Sequence, residues 1–193
     1  MPFDFGGGLS SYKMRIIKLG GSLLETKQML DCLKRIVEST EQTVVVCGGG
    51  DFANQVRKAQ KKWYFDDVAA HEMAILAMQQ VAVMCQNLQS EFVLAWSITE
   101  IKNQHHIIWS PNIDELNAAK IRATWDITSD SLAAWLAIKL NADELVIVKS
   151  CYVDAELTIE QLREQCIVDS TFDEFVDDVK FNVIVTSADD FLK

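Results

Sequence analysis

The sequence has few basic residues and few glycines, and each shortage narrows the class of protein that it encodes. Lysine and arginine number 18 against 28 acidic residues, which gives a formal net charge of −10. This acidity argues against binding to duplex DNA or anionic membranes, because such binding depends on basic side chains. A hydrophobic fraction of 49% argues against a disordered chain, and 193 residues are the length of one domain.

The cysteines also lack any pairing pattern. They are odd in number, scattered and without CxxC spacing, so we expect reduced thiols in a cytoplasmic protein and not a disulfide framework or a zinc site. The first residues, MPFDFGGG, have no basic region followed by an apolar core, and no apolar run approaches the length of a membrane span. We therefore expect neither a signal peptide nor a transmembrane helix. The five cysteines are Cys32, Cys47, Cys85, Cys151 and Cys166.

All eight glycines fall in three runs, at residues 6–8, 20–21 and 48–50, and none follows Gly50. The first run lies in residues 1–13, which we expect to form a flexible N-terminal arm before a single domain over residues 14–193. Glycine allows backbone to turn sharply or to approach a ligand closely. The second and third runs are therefore the first candidates for a binding site.

Each of these two glycine runs follows an apolar strand pattern and precedes a helical one. The strands are predicted over residues 14–19 and 43–47, and the order strand, glycine loop, helix occurs twice. That order predicts right-handed βαβ units and a parallel sheet, hence an α/β fold. Further strands are predicted at residues 92–96, 106–109, 145–149 and 182–186, and helices at 26–39, after Gly50, at 66–88, after Ser129, at 158–162 and at 172–179.

The helix predicted over residues 66–88 is apolar nearly all round. Such a helix lies either at the centre of the core or against a second subunit, and the sequence leaves both alternatives open. A monomer would need other elements to cover every face of this helix. We therefore expect a homodimer or a higher homo-oligomer.

Ligands of parallel sheets bind beyond the carboxyl ends of the strands, where both glycine loops lie. Successive backbone N–H groups and the following helix N-terminus favour an anion, so two such loops predict two neighbouring phosphates. The alternative is that they are only tight turns. Lys18, two positions before Gly20, would neutralise phosphoryl oxygens, or its side chain would extend along the strand end to solvent.

Two acidic residues, Asp126 and Asp130, precede and enter the helix that follows Ser129. They could orient Lys18 or hold a magnesium ion. From these residues alone, capping of the helix is the favoured interpretation.

Three motifs in this order resemble the signatures of the amino acid kinase superfamily, at residues 18–22, 48–50 and 128–134. This superfamily includes acetylglutamate, aspartate, uridylate, carbamate and isopentenyl phosphate kinases. The resemblance covers residues 14–193. It implies a three-layer α/β/α sandwich with a mainly parallel central sheet, and transfer of the γ-phosphoryl group of ATP without a covalent intermediate. Mg²⁺ would be bridged by the nucleotide, with no metal ligands from the protein.

The resemblance also implies roles for individual residues. Lys18 would stabilise the transferred phosphoryl group, and Asp130 would hold this lysine in place. The other residues divide between the nucleotide and the acceptor. The nucleotide side comprises Gly20, Gly21, Ser22, Lys149 and Ser150, and the acceptor side comprises Gly48, Gly49, Gly50, Asn54, Arg57, His71, Thr128 and Ser129.

Residues 48–57, 70–78 and 125–131 are similar to a small-kinase branch found in methanogens and methylotrophs. Its characterised members look like aminomethylfuran-methyl phosphate kinases of methanofuran biosynthesis, which add a second phosphate to a furan-methyl monophosphate. The resemblance thus implies a phosphate monoester as the acceptor, contacted by Arg57 through its bidentate fork or by His71. Alternatively, His71 only marks the start of the long helix.

Two alternatives stay open. Family members usually carry an Asp-Gly pair after the strand matching residues 145–149, whereas residues 149–156 contain no glycine. This difference favours a kinase-fold protein that binds a ligand or partner with little or no catalysis. The second alternative is isopentenyl phosphate kinase, whose acceptor needs a long apolar pocket. An aminomethylfuran instead needs a carboxylate for its ammonium group, and Asp66, Asp67 and Glu72 are candidates unless they are merely solvated.

Overall fold

The computed structural model describes residues 13–101 and 104–193, so the arm predicted over residues 1–13 lies, except for Lys13, outside the described residues. The described residues form a six-stranded sheet in which every neighbouring pair is parallel. The strand order is β3-β4-β2-β1-β5-β6. The strands are β1 (Met14–Leu19), β2 (Gln42–Cys47), β3 (Val93–Ala95), β4 (His106–Trp109), β5 (Glu144–Lys149) and β6 (Asn182–Ser187).

Helices connect the strands, and every predicted helix is present. The capping box predicted at Thr158 is confirmed, because the Thr158 and Gln161 side chains bond each other's backbone N–H groups. Two short helices, Ile113–Ala118 and Ala188–Phe191, and two 3-10 turns, Gly21–Glu25 and Ile98–Ile101, were not predicted. The helices are α1 (Gln28–Val37), α2 (Gly50–Trp63), α3 (Asp67–Leu88), α4 (Ile113–Ala118), α5 (Ser129–Leu140), α6 (Ile159–Glu164), α7 (Asp173–Val176) and α8 (Ala188–Phe191).

Side chains that alternate along the central strands bury both faces of the sheet. On one face, Ile16 and Ile147 pack with α5 in a core that includes Leu136. On the other face, Ile17 and Val148 pack with α1 and the second half of α3. Strands buried on both faces are the expected state of a parallel sheet between helices. The predicted α/β/α sandwich is therefore confirmed, with a sheet that is parallel throughout.

Helix α3 is buried on one side only, so its packing against a second subunit stays a prediction. Ile75 and Val81 are buried against the sheet, whereas Met73, Leu76 and Val83 are exposed. By its length and composition alone, α3 is also apolar enough to cross a membrane, although the sequence analysis found no apolar run of that length. Within the fold, 44% of its most apolar window is buried. Residues 13–101 and 104–193 contain no other helix of this kind.

The three central strands bring the functional motifs to one edge of the sheet. Lys18 pairs in register with Val46 of β2 and with Ile147 of β5. Beyond Lys18, the Gly20 N–H donates to the Val148 carbonyl, and the Gly48 N–H donates to the Leu19 carbonyl. Both glycine loops therefore leave adjacent strands at the carboxyl edge, as the parallel topology predicts.

Candidate active site

A cavity of about 500 Å³ opens at this carboxyl edge, beyond β1, β2 and β5. Its wall contains all the predicted site residues except Gly20 and Ser150. Gly20 is next to a residue of the wall, because a Cβ atom added to Gly20 would lie 3.9 Å from Lys18 Nζ. The topology thus brings together segments that are more than 100 residues apart in sequence.

Two lysines and one aspartate form the floor of the cavity. Lys18 Nζ lies 2.7 Å from Asp130 Oδ1, and Lys149 Nζ lies 2.5 Å from Asp130 Oδ2. The Lys149 contact has the geometry of a hydrogen bond. The Lys18 contact is an ion pair whose angles do not meet hydrogen-bond geometry. Lys18 and Asp130 are almost wholly buried, so extension of Lys18 to solvent and helix capping by Asp130 are both wrong.

Burial and charge act against each other on these three groups. Burial raises the pKa of Asp130, but the charges of Lys18 and Lys149 outweigh this effect and hold that pKa below its usual value. The pKa of Lys149 is lowered, first by burial and then by the charge of Lys18, against the attraction of Asp130 and Asp169. Two ammonium groups share one carboxylate, so the Lys18–Asp130–Lys149 cluster itself carries one net positive charge in a poorly solvated position. Such a site favours anions.

The glycines are required because the two loops pack against each other. A Cβ atom on Gly21 would lie 2.4 Å from Gly50 N, and one on Gly48 would lie 2.6 Å from Gly21 N. Gly50 also has a φ of +51°, which disfavours side chains. The tight-turn alternative stays open, since Gly20 and Gly48 donate their N–H groups to carbonyls of the sheet and not to the cavity.

Asp169, in the segment between α6 and α7, was missed in the sequence. It accepts hydrogen bonds from the backbone N–H and the hydroxyl of both Thr128 and Ser131. Local sequence gives little indication of this role, because the hydrogen-bond partners of Asp169 are 38 and 41 positions away in the chain. Asp126 accepts instead from Thr124 and Ser170, lies outside the cavity wall and does not contact Lys18.

Arg57 and Trp125 form the wall beyond the second glycine loop. The Arg57 guanidinium lies 4.2 Å from the centre of the Trp125 ring and donates to Asn54 Oδ1 at 3.4 Å. The Trp125 Nε1–H donates to Gln60 Oε1 at 2.7 Å, and Gln60 Nε2 donates to Asp67 Oδ1 at 2.8 Å. Burial lowers the pKa of Arg57, and Asp169 opposes this. In residues 13–101 and 104–193, no carboxylate forms an ion pair with Arg57.

His71 lies in the same wall, one helical turn from Asp67. Its Nε2 is buried and has no hydrogen-bond partner among the described residues. Burial lowers the pKa of His71 against the charge of Glu72, so the imidazole is neutral near pH 7. Of the three candidate carboxylates, Asp67 lines the cavity, Asp66 caps α3 through the Ala69 N–H, and Glu72 is exposed outside the wall.

The residues that directly follow β5 belong to the predicted nucleotide side and not to the acceptor wall. Ser150 Oγ lies 2.7 Å from Ser22 Oγ, which joins the two hydroxyls predicted for the nucleotide side. Cys151 and Tyr152 are exposed and do not line the cavity. Within the described ranges, no cluster of three or more His, Cys, Asp or Glu residues could hold a metal ion.

The chain resembles known proteins both in sequence and in fold. A sequence model of the amino acid kinase family matches residues 13–151. Over 141 residues the chain is 30% identical to [5-(aminomethyl)furan-3-yl]methyl phosphate kinase of Methanocaldococcus jannaschii. That alignment covers 69% of this chain and 64% of the relative, so the chain spans less than two thirds of the relative's length.

Solved structures show the same fold. Uridylate kinase from Archaeoglobus fulgidus superposes with a TM-score of 0.69 at 18% identity, over 93% of this chain and 94% of that one. Aspartate kinase from Synechocystis gives a TM-score of 0.67 at 15% identity, over 91% of this chain and 38% of that one. At these identities the likeness concerns the fold alone.

Proposed function

The chain belongs to the amino acid kinase family, and we propose that it is an ATP-dependent phosphotransferase that acts on a small phosphate monoester. The observation that carries this proposal is the Lys18–Asp130–Lys149 cluster, which lies at the floor of the cavity between two glycine loops. In-line phosphoryl transfer needs positive charge beside the transferred group and little covalent chemistry from the protein.

In the proposed reaction, an oxygen of the acceptor phosphate attacks the γ-phosphorus of ATP. A new P–O bond forms as the bond to the β–γ bridging oxygen breaks, and ADP leaves with the electron pair. The ionised acceptor oxygen needs no strong base. Lys18 and Lys149 stabilise the negative charge on the transferred group, and Asp130 orients both ammonium groups.

The cavity fits the phosphates of a Mg²⁺–nucleotide better than it fits the adenine base. The packed glycine loops leave no room for a Cβ atom, and both lysines face this space. Mg²⁺ bridged by the nucleotide would neutralise part of the phosphate charge when bound. The base would lie beyond the Ser22–Ser150 contact, toward the exposed Tyr152.

For the acceptor we propose an amine-bearing phosphate monoester such as aminomethylfuran-methyl phosphate. The 30% identity to the kinase from M. jannaschii supports this class. Arg57, whose guanidinium lies 4.2 Å from the centre of the Trp125 ring, would bind the acceptor phosphate. Asp67 and the unpartnered Nε2 of His71 would accept hydrogen bonds from the ammonium group. An isoprenoid acceptor would instead need a long apolar pocket, and the charges of Arg57 and Asp67 argue against that acceptor.

A homodimer and a cytoplasmic location stay predictions. The exposed apolar side chains Met73, Leu76 and Val83 of α3 support the dimer, because such a stripe is favourable when a second subunit covers it. Sedimentation velocity of the purified protein measures this directly.

Turnover with a panel of phosphate monoesters tests the proposed reaction, with Lys18→Ala as the variant and Lys139→Ala as its matched control on the exposed end of α5. We expect ATP-dependent formation of a diphosphate by the wild type and the control. Lys18→Ala should lower kcat about 10³-fold or more, as loss of preorganised charge does in other enzymes. Full activity of Lys18→Ala would contradict its assigned role.

Two further measurements separate the alternatives. Isothermal titration with Mg–ATP tests for a binding protein without catalysis, which is favoured if millimolar nucleotide gives no binding heat. The kcat/KM ratio between an acceptor with an amine and the same acceptor without it tests the amine site. Asp67→Asn should abolish this preference and Glu72→Gln should keep it. An unchanged ratio in Asp67→Asn would contradict the assignment.

A further inference from the structure

We propose that Asp169 is a positioning residue of the phosphoryl-transfer site, which fixes the first turn of α5 around Asp130 and adds a second negative charge to the cavity that Lys149 lines. This inference rests on the proposed function for its kinetic part alone. Asp169 lies outside residues 13–151, which match the family model. It therefore belongs to the part of the chain for which the motifs give no assignment.

Four hydrogen bonds join the Asp169 carboxylate to the turn that carries Asp130. Oδ2 accepts from Thr128 N at 2.8 Å, from Ser131 N at 3.0 Å and from Ser131 Oγ at 2.8 Å. Oδ1 accepts from Thr128 Oγ1 at 2.5 Å. Asp130 lies between these two partners in sequence. Its backbone is thus held on both sides by one distant carboxylate.

Helix α5 depends on this contact because it has no capping side chain of its own. Thr128 occupies the N-cap position, but its hydroxyl makes no capping bond and donates to Asp169 instead. The free N–H groups of a first helical turn need an acceptor, and a negative charge there is favourable. Asp169 supplies both. Without it, the turn that aims Asp130 at the two lysines has no other acceptor among the described side chains.

The charge of Asp169 also acts on the cations of the cavity. Lys149 pairs with Asp130 of α5 and lines the same cavity as Lys18 of β1 and Asp169 of the segment before α7. The carboxylates Asp130 and Asp169 favour the ammonium form of Lys149, whereas burial and Lys18 oppose it. Loss of the Asp169 charge should therefore lower the pKa of Lys149 further. The pKa of Arg57, on the acceptor wall, should fall as well, because the charge of Asp169 raises it in the wild type.

Asp169→Asn removes the charge while keeping the size of the side chain, and two readouts follow its effect. The first is kcat and KM across pH 6 to 10, with thermal unfolding measured in parallel. The second needs no activity: the acetylation of Lys149 by acetic anhydride, followed across pH by peptide mass spectrometry. The matched control is Asp173→Asn, which breaks the ion pair with Arg163 in the same part of the chain.

We expect Asp169→Asn to lower kcat about 10²-fold, as an ångström-scale misplacement of a catalytic group does. The alkaline limb of the kcat profile and the Lys149 acetylation midpoint should both move to lower pH. Asp169→Glu, which restores charge but not position, should bring the acetylation midpoint back toward the wild-type value while kcat stays low. Asp173→Asn should change neither property.

The two readouts separate failure of this inference from failure of the proposed function. An acetylation midpoint that is the same in Asp169→Asn and in Asp173→Asn would overturn the inference, whatever the turnover. A lower midpoint in Asp169→Asn, in a protein whose wild type phosphorylates no acceptor, would support the electrostatic link and contradict the proposed reaction. A fall in kcat that Asp173→Asn reproduces would also overturn the inference, because it would reflect general loss of structure.

Discussion

The Gly21→Ala substitution tests whether the close approach of the two glycine loops shapes the site. Its Cβ atom would lie 2.4 Å from Gly50 N and 2.7 Å from Gly50 Cα, whereas ordinary contacts begin at 3.4 Å. The loops must therefore move apart by about 1 Å, since backbone on both sides leaves no flexible side chain to yield. Such overpacking costs about 1–3 kcal/mol of stability. A shift of this size in a catalytic site lowers turnover about 10²-fold.

Gly20→Ala is the matched control, because its Cβ atom would meet only the Val148 carbonyl at 3.1 Å and ordinary contacts beyond. Denaturant unfolding and an ADP-release assay measure both effects. We expect a large loss of kcat and a clear loss of stability in Gly21→Ala, and small changes in Gly20→Ala. If the two variants have equal kcat, the contact between the loops does not set the geometry of the site.

Two other substitutions test the charges and the acceptor wall. Asp130→Asn leaves two buried ammonium groups without their carboxylate, so it should lower the free energy of unfolding by about 3–5 kcal/mol at pH 7. Because the folded-state pKa of Asp130 is lowered, this stabilisation is complete above the ordinary carboxyl pKa and is lost as the pH falls through the folded value. The difference between wild type and variant in urea titrations should therefore vanish in acid, and a constant difference would contradict the ion-pair assignment. Trp125→Leu removes the ring under Arg57 and should raise the acceptor KM about tenfold with kcat little changed. Trp63→Leu, which removes a similar contact with Lys62 at the surface, should leave KM unchanged.

The alternation and length of apolar runs were sufficient to predict the sheet. Strand β2 has four consecutive apolar residues at positions 44–47, and only burial on both faces makes such a run favourable. The short elements were harder to predict. Helix α8 has four residues, and its cap at Ser187 lies at the end of β6 without any helical periodicity. Elements this short are formed by tertiary contacts, which local sequence does not encode.

The site residues that directly follow a strand could also be predicted from the apolar runs, but the contacts between distant segments could not. Lys18 and the glycine loops follow directly from strand ends in a parallel sheet. The sharing of Asp130 by both lysines depends on β1 and β5 being neighbours, which the chain order does not specify. The contact between Trp125 and Arg57 joins α2 to a loop more than 60 residues later. Such pairs become visible only when the topology is known.

After Gly50, where the sequence has no glycine, other residues adopt the left-handed region of the backbone. Cys166, which lines the cavity wall, has a φ of +56° at the end of α6, where glycine is the usual residue. This conformation costs about 1–2 kcal/mol for a residue with a side chain. Three positions later, Asp169 makes four hydrogen bonds, and each bond to a charged group contributes about 1.5–3 kcal/mol. These bonds outweigh the strain at Cys166 and hold the segment against the Asp130 turn.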